Sequence, residues 1–295
     1  MTKPRPSVLA PLFAAVLLAP APVPASVIAA ATAAGPPPAP LACRAVDGLA
    51  PLLKPGTILL LGEIHGTRES PAFAANAACL AARAGTQVTV GLEIPDPEAP
   101  RVAAYLASEG AAADRAALLA GAFWRRSYQD GRSSQAMLDL IESLRRMARQ
   151  GLPVRAKLVD REVEARDRFM ADRVKAEAQA APDALLLVLT GNLHTRTKDG
   201  TPWDPKRPNM GAFLVKELPG RKVLALDVSG SGGAAWTCTD ADAQHCGIHP
   251  LKPVRPGDAE KVVLYPEANA AGFHGYYHVG KLTAAGPATA SEPIR

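Results

Sequence analysis

The chain has 295 residues, 48% of them hydrophobic and 5% aromatic, and 33 Lys and Arg against 28 Asp and Glu give a formal charge of +5. That is enough chain for one domain with a substantial core. The basic excess is small and no basic cluster is interleaved with aromatics, which excludes nucleic acid as the expected partner.

Lys3 and Arg5 precede an apolar stretch from Val8 to Ala19, and small residues from Ala29 to Ala34 offer cleavage positions. This is the layout of a secretory signal peptide over residues 1–34. A retained anchor is the alternative reading, opposed by Pro11 and Pro20 and by a length short of a bilayer span. The expected location is therefore periplasmic or secreted, with no stable transmembrane segment after cleavage. Residues 35–42 read as a stiff proline-rich spacer, and 43–295 as a single α/β domain.

The elements follow in order. Thr57 to Leu61 reads as a short buried strand. Ser70-Pro71 starts a helix whose apolar side carries Phe73, Ala77 and Leu80, and Gly85 ends it before a strand over Gln87 to Leu92. The segment from about 97 to 132 breaks the rhythm with two alanine-rich helical stretches, then Phe123, Trp124 and Tyr128. It reads as a helical insertion over the carboxyl edge of the sheet, with Gly110 to Arg132 above the cleft. Ser133 or Ser134 caps the next helix, and Met137, Leu138, Ile141 and Leu144 face inward. A strand over Val154 to Val159 follows. Arg161 to Ala180 reads as a charged surface helix, with Glu162–Arg166 and Glu164–Arg168 as four-residue pairs. Leu185 to Thr190 returns to the sheet. Ala212 to Leu218 and Val223 to Val228 look like a hairpin of antiparallel edge strands around Pro219-Gly220-Arg221. Lys261 to Tyr265 and Gly275 to Val279 extend that late region. The fold class is thus α/β, a mostly parallel sheet flanked by helices, with antiparallel late strands.

Four cysteines in an exported chain are expected to pair. Cys238 and Cys246 would close the loop between them, leaving Cys43 and Cys79 to join the amino-terminal segment to the first helix. A zinc site of Cys238, His245, Cys246 and His249 competes, but its spacing is no standard finger pattern and oxidising conditions favour the disulfide.

Three strand ends carry the candidate chemistry: Gly62-Glu63-Ile64-His65, Gly91-Leu92-Glu93 and Gly191-Asn192-Leu193-His194. In open α/β sheets ligands bind beyond the carboxyl ends of the strands, so His65, Glu93 and His194 can converge on one cleft. An extended backbone puts Glu63 and His65 on the same side, and Glu69 follows in the strand-to-helix turn. Such oxygen and nitrogen ligands suit iron, manganese, cobalt or zinc alike, so a divalent metal on His65, Glu93 and His194 has no readable identity. The plainer alternatives are that Glu63 or Glu69 caps a helix start and that each histidine merely satisfies a turn. Arg68 and Arg196 either bind an anionic group of a substrate or form ordinary carboxylate pairs. Trp124 and Tyr128 either contact substrate or pack the insertion.

On these motifs the chain resembles the haem-binding uptake and Tiki superfamily, which includes iron-regulated haem-binding lipoproteins, erythromycin esterases and Tiki-type membrane metalloproteases. Gly62 to Glu69 is similar to the first motif of the esterase branch. The resemblance covers roughly Thr57 to Val228 and implies an α/β sheet with a cleft above its carboxyl edge. The esterase branch implies His65 as general base, with Glu63, Glu69 and Glu93 as orienting or acidic groups and His194 as second histidine. The Tiki branch implies His65, Glu93 and His194 as metal-associated groups. The haem-binding branch implies haem as an alternative cofactor, with Tyr105, Trp124 and Tyr128 as the available aromatics. The expectation is an exported hydrolase of a small-molecule or peptide ester or amide. Its alternatives are a haem- or iron-binding protein without turnover and a non-catalytic partner-binding domain.

Overall fold

The structure, a computed structural model, describes Met1 and residues 42–289. The leader, Met1 apart, and the spacer, Ala42 apart, lie outside the described residues. All elements belong to the compact unit Pro40–Arg295.

In chain order these are β1 (Thr57–Glu63), α1 (Glu69–Arg83), β2 (Val88–Pro95), the insertion helices α2 (Ala99–Ala107), α3 (Ala112–Leu119) and α4 (Ala122–Arg125), then α5 (Gln135–Arg149) and β3 (Val154–Asp160). They continue with α6 (Arg166–Ala180), β4 (Leu185–Gly191), α7 (Asn192–Thr195), α8 (Met210–Glu217), β5 (Lys222–Ser229), β6 (Gly233–Cys238), β7 (Cys246–Leu251), β8 (Lys261–Leu264) and β9 (Gly275–His278). The main sheet runs β3-β2-β4-β1-β5-β9-β8, parallel throughout except for β8 against β9, and β6 and β7 form a separate antiparallel ribbon.

The central strands are apolar on both faces because helices cover both. Leu59 and Leu61 of β1 face one core with Phe73 and Ala77 of α1 and Ile141 and Leu144 of α5. Ile58 and Leu60, one residue out of phase, face the other with Met170 and Val174 of α6 and Leu214 of α8. The period of two in a strand makes this sorting automatic. After β1 the chain leaves toward the α1 face, whereas after the neighbouring β4 it leaves toward the α8 face. That divergence is a topological switch point, where a crevice opens at the carboxyl ends of the strands.

Two expectations need correction. Residues 212–218 are not a strand: 212–217 belong to α8 and Leu218 ends it, with Met210 and Leu214 buried four residues apart and Phe213 under the Arg168 guanidinium. With a helix there, β5 pairs parallel with β1 inside the sheet and forms no edge hairpin, as a parallel neighbour requires a crossover. The charged helix begins at Arg166, five residues later than expected, and it is not simply a surface helix: Asp167, Met170, Ala171, Val174 and Ala178 are buried. Arg166 pairs with Asp160 and Glu93 instead of Glu162, and Arg168 with Asp172 and Glu217 instead of Glu164.

Both expected disulfides are present, Cys43–Cys79 and Cys238–Cys246, so the alternative zinc reading falls. The second bridges a directly opposed pair in the β6–β7 register. Among the described residues no helix is long and apolar enough to cross a membrane.

Candidate functional site

Glu93 is the centre of the site. It leaves β2 at the carboxyl edge of the sheet, its side chain 1% exposed, between the ends of β4 and β3. One oxygen accepts the Gly191 N–H at 2.6 Å and the other accepts Arg166 Nη2 at 2.6 Å. His65 Nε2 stands 3.5 Å from the first oxygen and His194 Nε2 3.8 Å from the second. Each imidazole is oriented from behind by its own carboxylate. His65 Nδ1 bonds Glu63 Oε1 at 3.0 Å, and His194 Nδ1 bonds Asp167 Oδ1 at 2.8 Å. An ionised carboxylate only accepts, so both Nδ1 atoms carry hydrogen and both Nε2 atoms face Glu93.

The backbone explains why these side chains stand where they do. Gly66 turns the chain out of the sheet at a φ of 70°, and a Cβ there would fall 1.9 Å from the Trp236 carbonyl oxygen. Only glycine lets β6 close so tightly on the His65 turn, where Trp236 N–H donates to the Gly66 carbonyl at 2.9 Å. Gly191 keeps a second approach open, since a Cβ on it would lie 2.9 Å from His65 Nε2. Tyr277 of β9, stacked on Phe73, donates its hydroxyl to the Gly62 carbonyl at 2.8 Å and so holds the end of β1.

Charge is concentrated here to a degree that sets protonation. Burial would lower the His65 imidazole, but the negative charges of Glu93 and Glu63 and their hydrogen bonds outweigh it and push its pKa up to about 10. Burial likewise opposes the charge on Glu93, yet His65, His194 and Arg166 hold it well below the ordinary carboxylate range. Asp167 is also lowered, against its burial, by the His194 hydrogen bond and charge and by the Met210 N–H. On the far side Asp227 of β5 moves the other way: burial raises it, and the Asn192 amide, 3.1 Å away, offsets this only in part.

Residues outside the strand-end motifs complete the network. Asp160, fully buried at the end of β3, accepts Arg166 Nε at 2.6 Å and Arg132 Nη1 at 2.9 Å. Arg132, from the loop after α4, also donates to Asp130 at 2.9 Å and reaches within 3.9 Å of Glu93. Asp130 pairs in turn with Arg126. The insertion therefore sends charge into the site through its final loop. The signal that could have found Asp160 is its place at the end of a strand, like Glu63 and Glu93; Arg132, Arg166 and Asp167 had no local signal.

Of the residues singled out from sequence, His65, Glu63, Glu93 and His194 are brought together. Glu69 is not: its carboxylate caps the chain at Thr283, accepting the Thr283 N–H at 2.9 Å and bonding its hydroxyl. Arg68 is exposed and bonds the Ala284 carbonyl on the α1–α5 side. Arg196 donates to the Gly200 carbonyl at 2.8 Å. Trp124 is fully buried against Phe123, Tyr105 is buried and bonds Glu142, and Tyr128 donates to the Asp240 carbonyl of the β6–β7 ribbon. These contacts make Trp124 and Tyr105 packing residues.

The donor set does not fit a metal. Among the described residues no group of three or more His, Cys, Asp or Glu is placed to hold one. Both Glu93 oxygens are already engaged, and the Arg166 and Arg132 guanidiniums beside them oppose a further cation.

Comparison with protein-family models gives no match, and neither does comparison with curated proteins. Solved structures do match. A succinoglycan biosynthesis protein aligns over 81% of this chain and 91% of its own, with a TM-score of 0.56 at 8% identity. An erythromycin esterase mutant in its open conformation aligns over 82% of this chain and 94% of its own, with a TM-score of 0.50 at 13% identity. At these identities the likeness is one of fold. The haem-binding ChaN of Campylobacter jejuni aligns at a TM-score of only 0.37 and 10% identity.

Proposed function

We propose that this protein is an exported hydrolase of small esters or amides, with His65 as its proton carrier. The observation that supports this most is the mirrored arrangement at Glu93: two imidazoles, each backed by a carboxylate, aim their Nε2 atoms at one buried, fully engaged carboxylate. A structural ion pair needs only one such partner. In the proposed reaction neutral His65 takes a proton from water as the water attacks the carbonyl. The imidazolium then returns that proton to the leaving group. Glu63 and Glu93 stabilise the imidazolium, while Arg166 and the Gly191 N–H keep Glu93 fixed and ionised. The raised pKa has a cost: at neutral pH His65 already holds its proton, so the base form is scarce and activity should be alkaline.

The test is a substrate screen on the purified protein, with a visible-spectrum haem titration on the same preparation. Hydrolysis lost in His65→Ala with an unchanged circular dichroism spectrum is the expected result. Haem binding without hydrolysis would replace the proposal with a binding role, and neither would leave a partner-binding domain. Cleavage of the leader in an exporting host, read by amino-terminal sequencing, tests the location.

A further inference from the structure

Beside the Glu93 network, on the α6 side, a surface pocket of about 450 Å³ opens between the start of α6 and the segment leading into α8. Its wall holds three guanidinium groups, Arg166, Arg168 and Arg207, against two carboxylates, Glu164 and Asp167, with Phe213 as an apolar surface. Two of these residues belong to the site at the same time. Arg166 bonds Glu93 at 2.6 Å from its other side, and Asp167 holds the Nδ1 of His194. A group bound in the pocket is therefore one side chain away from the carboxylate that both imidazoles face.

The arginines differ in how far they are committed. Arg168 is clamped by Asp172 and Glu217 and sits over Phe213, 4.5 Å from its ring centre. Arg166 is held by Asp160 and Glu93. Arg207 meets Asp167 through one nitrogen at 3.4 Å, longer than an ordinary N–H···O bond, and 41% of its side chain is exposed. A long, weak contact on a half-exposed guanidinium is readily exchanged for a better acceptor. The planar fork of arginine matches a carboxylate with two parallel bonds. Glu164 and Asp167 in the same wall repel a dianion, which favours a single negative charge.

We propose that this pocket receives a carboxylate carried by the substrate, so that the natural substrates are esters or amides bearing one acidic group, gripped by Arg207 beside Arg166 with their apolar part on Phe213. The inference rests on the hydrolytic reading of the Glu93 site for the word substrate, but not for the binding of the acid. A matched pair separates the two: monobenzyl succinate, which carries the carboxylate, and benzyl methyl succinate, which does not. Release of benzyl alcohol and calorimetric binding are measured for each, with the full chain and with Arg207→Ala and Arg207→Lys. The expected result is a preference in kcat/KM for the acid of about tenfold, the ratio that 1.4 kcal/mol of binding supports. Arg207→Ala should lower kcat/KM for the acid far more than for the neutral ester and so remove the preference, and Arg207→Lys should restore part of it. Equal turnover of both esters by the unaltered protein overturns the inference and leaves the hydrolytic reading standing. If neither ester is cleaved, the hydrolytic reading loses support and calorimetry decides alone. Binding of monobenzyl succinate that depends on Arg207 then keeps the carboxylate site, and its absence removes it.

Discussion

The end of β1 and the end of β4 each present a histidine to Glu93, and they do so by opposite means. At β1 the orienting carboxylate is Glu63, two residues from His65 in the same strand end, and the ring is 23% exposed. At β4 the orienting carboxylate is Asp167, 27 residues away on α6, and the ring is 11% exposed. Asp167 also accepts the buried Met210 N–H at 2.9 Å and so ties α6 to α8. The β1 dyad is a local device with access to solvent, suited to exchanging a proton. The β4 dyad is a tertiary device in which orientation of the ring and docking of two helices share one carboxylate. Under the hydrolytic proposal, chemistry belongs chiefly to the first and positioning chiefly to the second.

The largest expected effect breaks that division at His65. Loss of a general base costs about 10²- to 10⁴-fold in rate, so His65→Ala should lower kcat by that order while the fold persists at a reduced Tm, since Glu63 and Glu93 lose a charged partner. His194→Ala should cost less activity. Equal losses of kcat in both variants would erase the distinction.

Next comes pH. With a pKa pushed to about 10, the neutral form of His65 falls about tenfold for each pH unit below that value. The rate should therefore climb about tenfold per unit between pH 7 and 9. A rate that falls over that range would make the imidazolium an acid instead. The same group works on stability in the opposite sense. Its folded pKa lies above the ordinary 6.5, so its contribution is fully present below that pH and is lost as pH rises through about 10. Tm measured across the range should decline on the alkaline side, and Glu63→Ala should flatten both trends.

A smaller effect separates the two carboxylates. Asp167→Ala leaves the Met210 N–H and the His194 ring without their acceptor, a loss of about 1 to 3 kcal/mol for a buried group. Glu63→Ala should cost less in denaturant unfolding, because His65 retains Glu93 and part of its ring reaches water. The smallest effect is at Gly191, where Ala would place a Cβ 2.9 Å from His65 Nε2. A loss of several-fold in kcat/KM with an unchanged melting curve is expected, about 1 kcal/mol in the barrier.

Much of this was legible because it is local. The apolar runs of β1, β2, β3 and β4 marked the sheet. Each of Glu63, His65, Glu93 and His194 closes or follows such a run, and their convergence follows from parallel strands sharing a carboxyl edge. The stretch 212–218 was misread because five of its seven residues are apolar or small, a composition that serves a short strand or a short helix equally. Only the need for a crossover between β4 and β5 decides between them. Glu69 stayed open between a site carboxylate and a helix cap because its place beside the His65 turn says nothing of Thr283, which arrives 214 residues later in the chain.

The amino-acid sequence by itself thus determined the runs of β1 to β4, the first dyad and the residues available to a shared edge, since strand periodicity and contacts two residues apart are properties of a short segment. The tertiary structure alone decided that Glu93 is the hub, that Arg132, Arg166 and Asp160 surround it, and that Asp167 backs His194. The physical reason is desolvation. A buried carboxylate requires compensating charge and hydrogen bonds, but any arginine that packing brings within reach can supply them, and no local pattern records which one does.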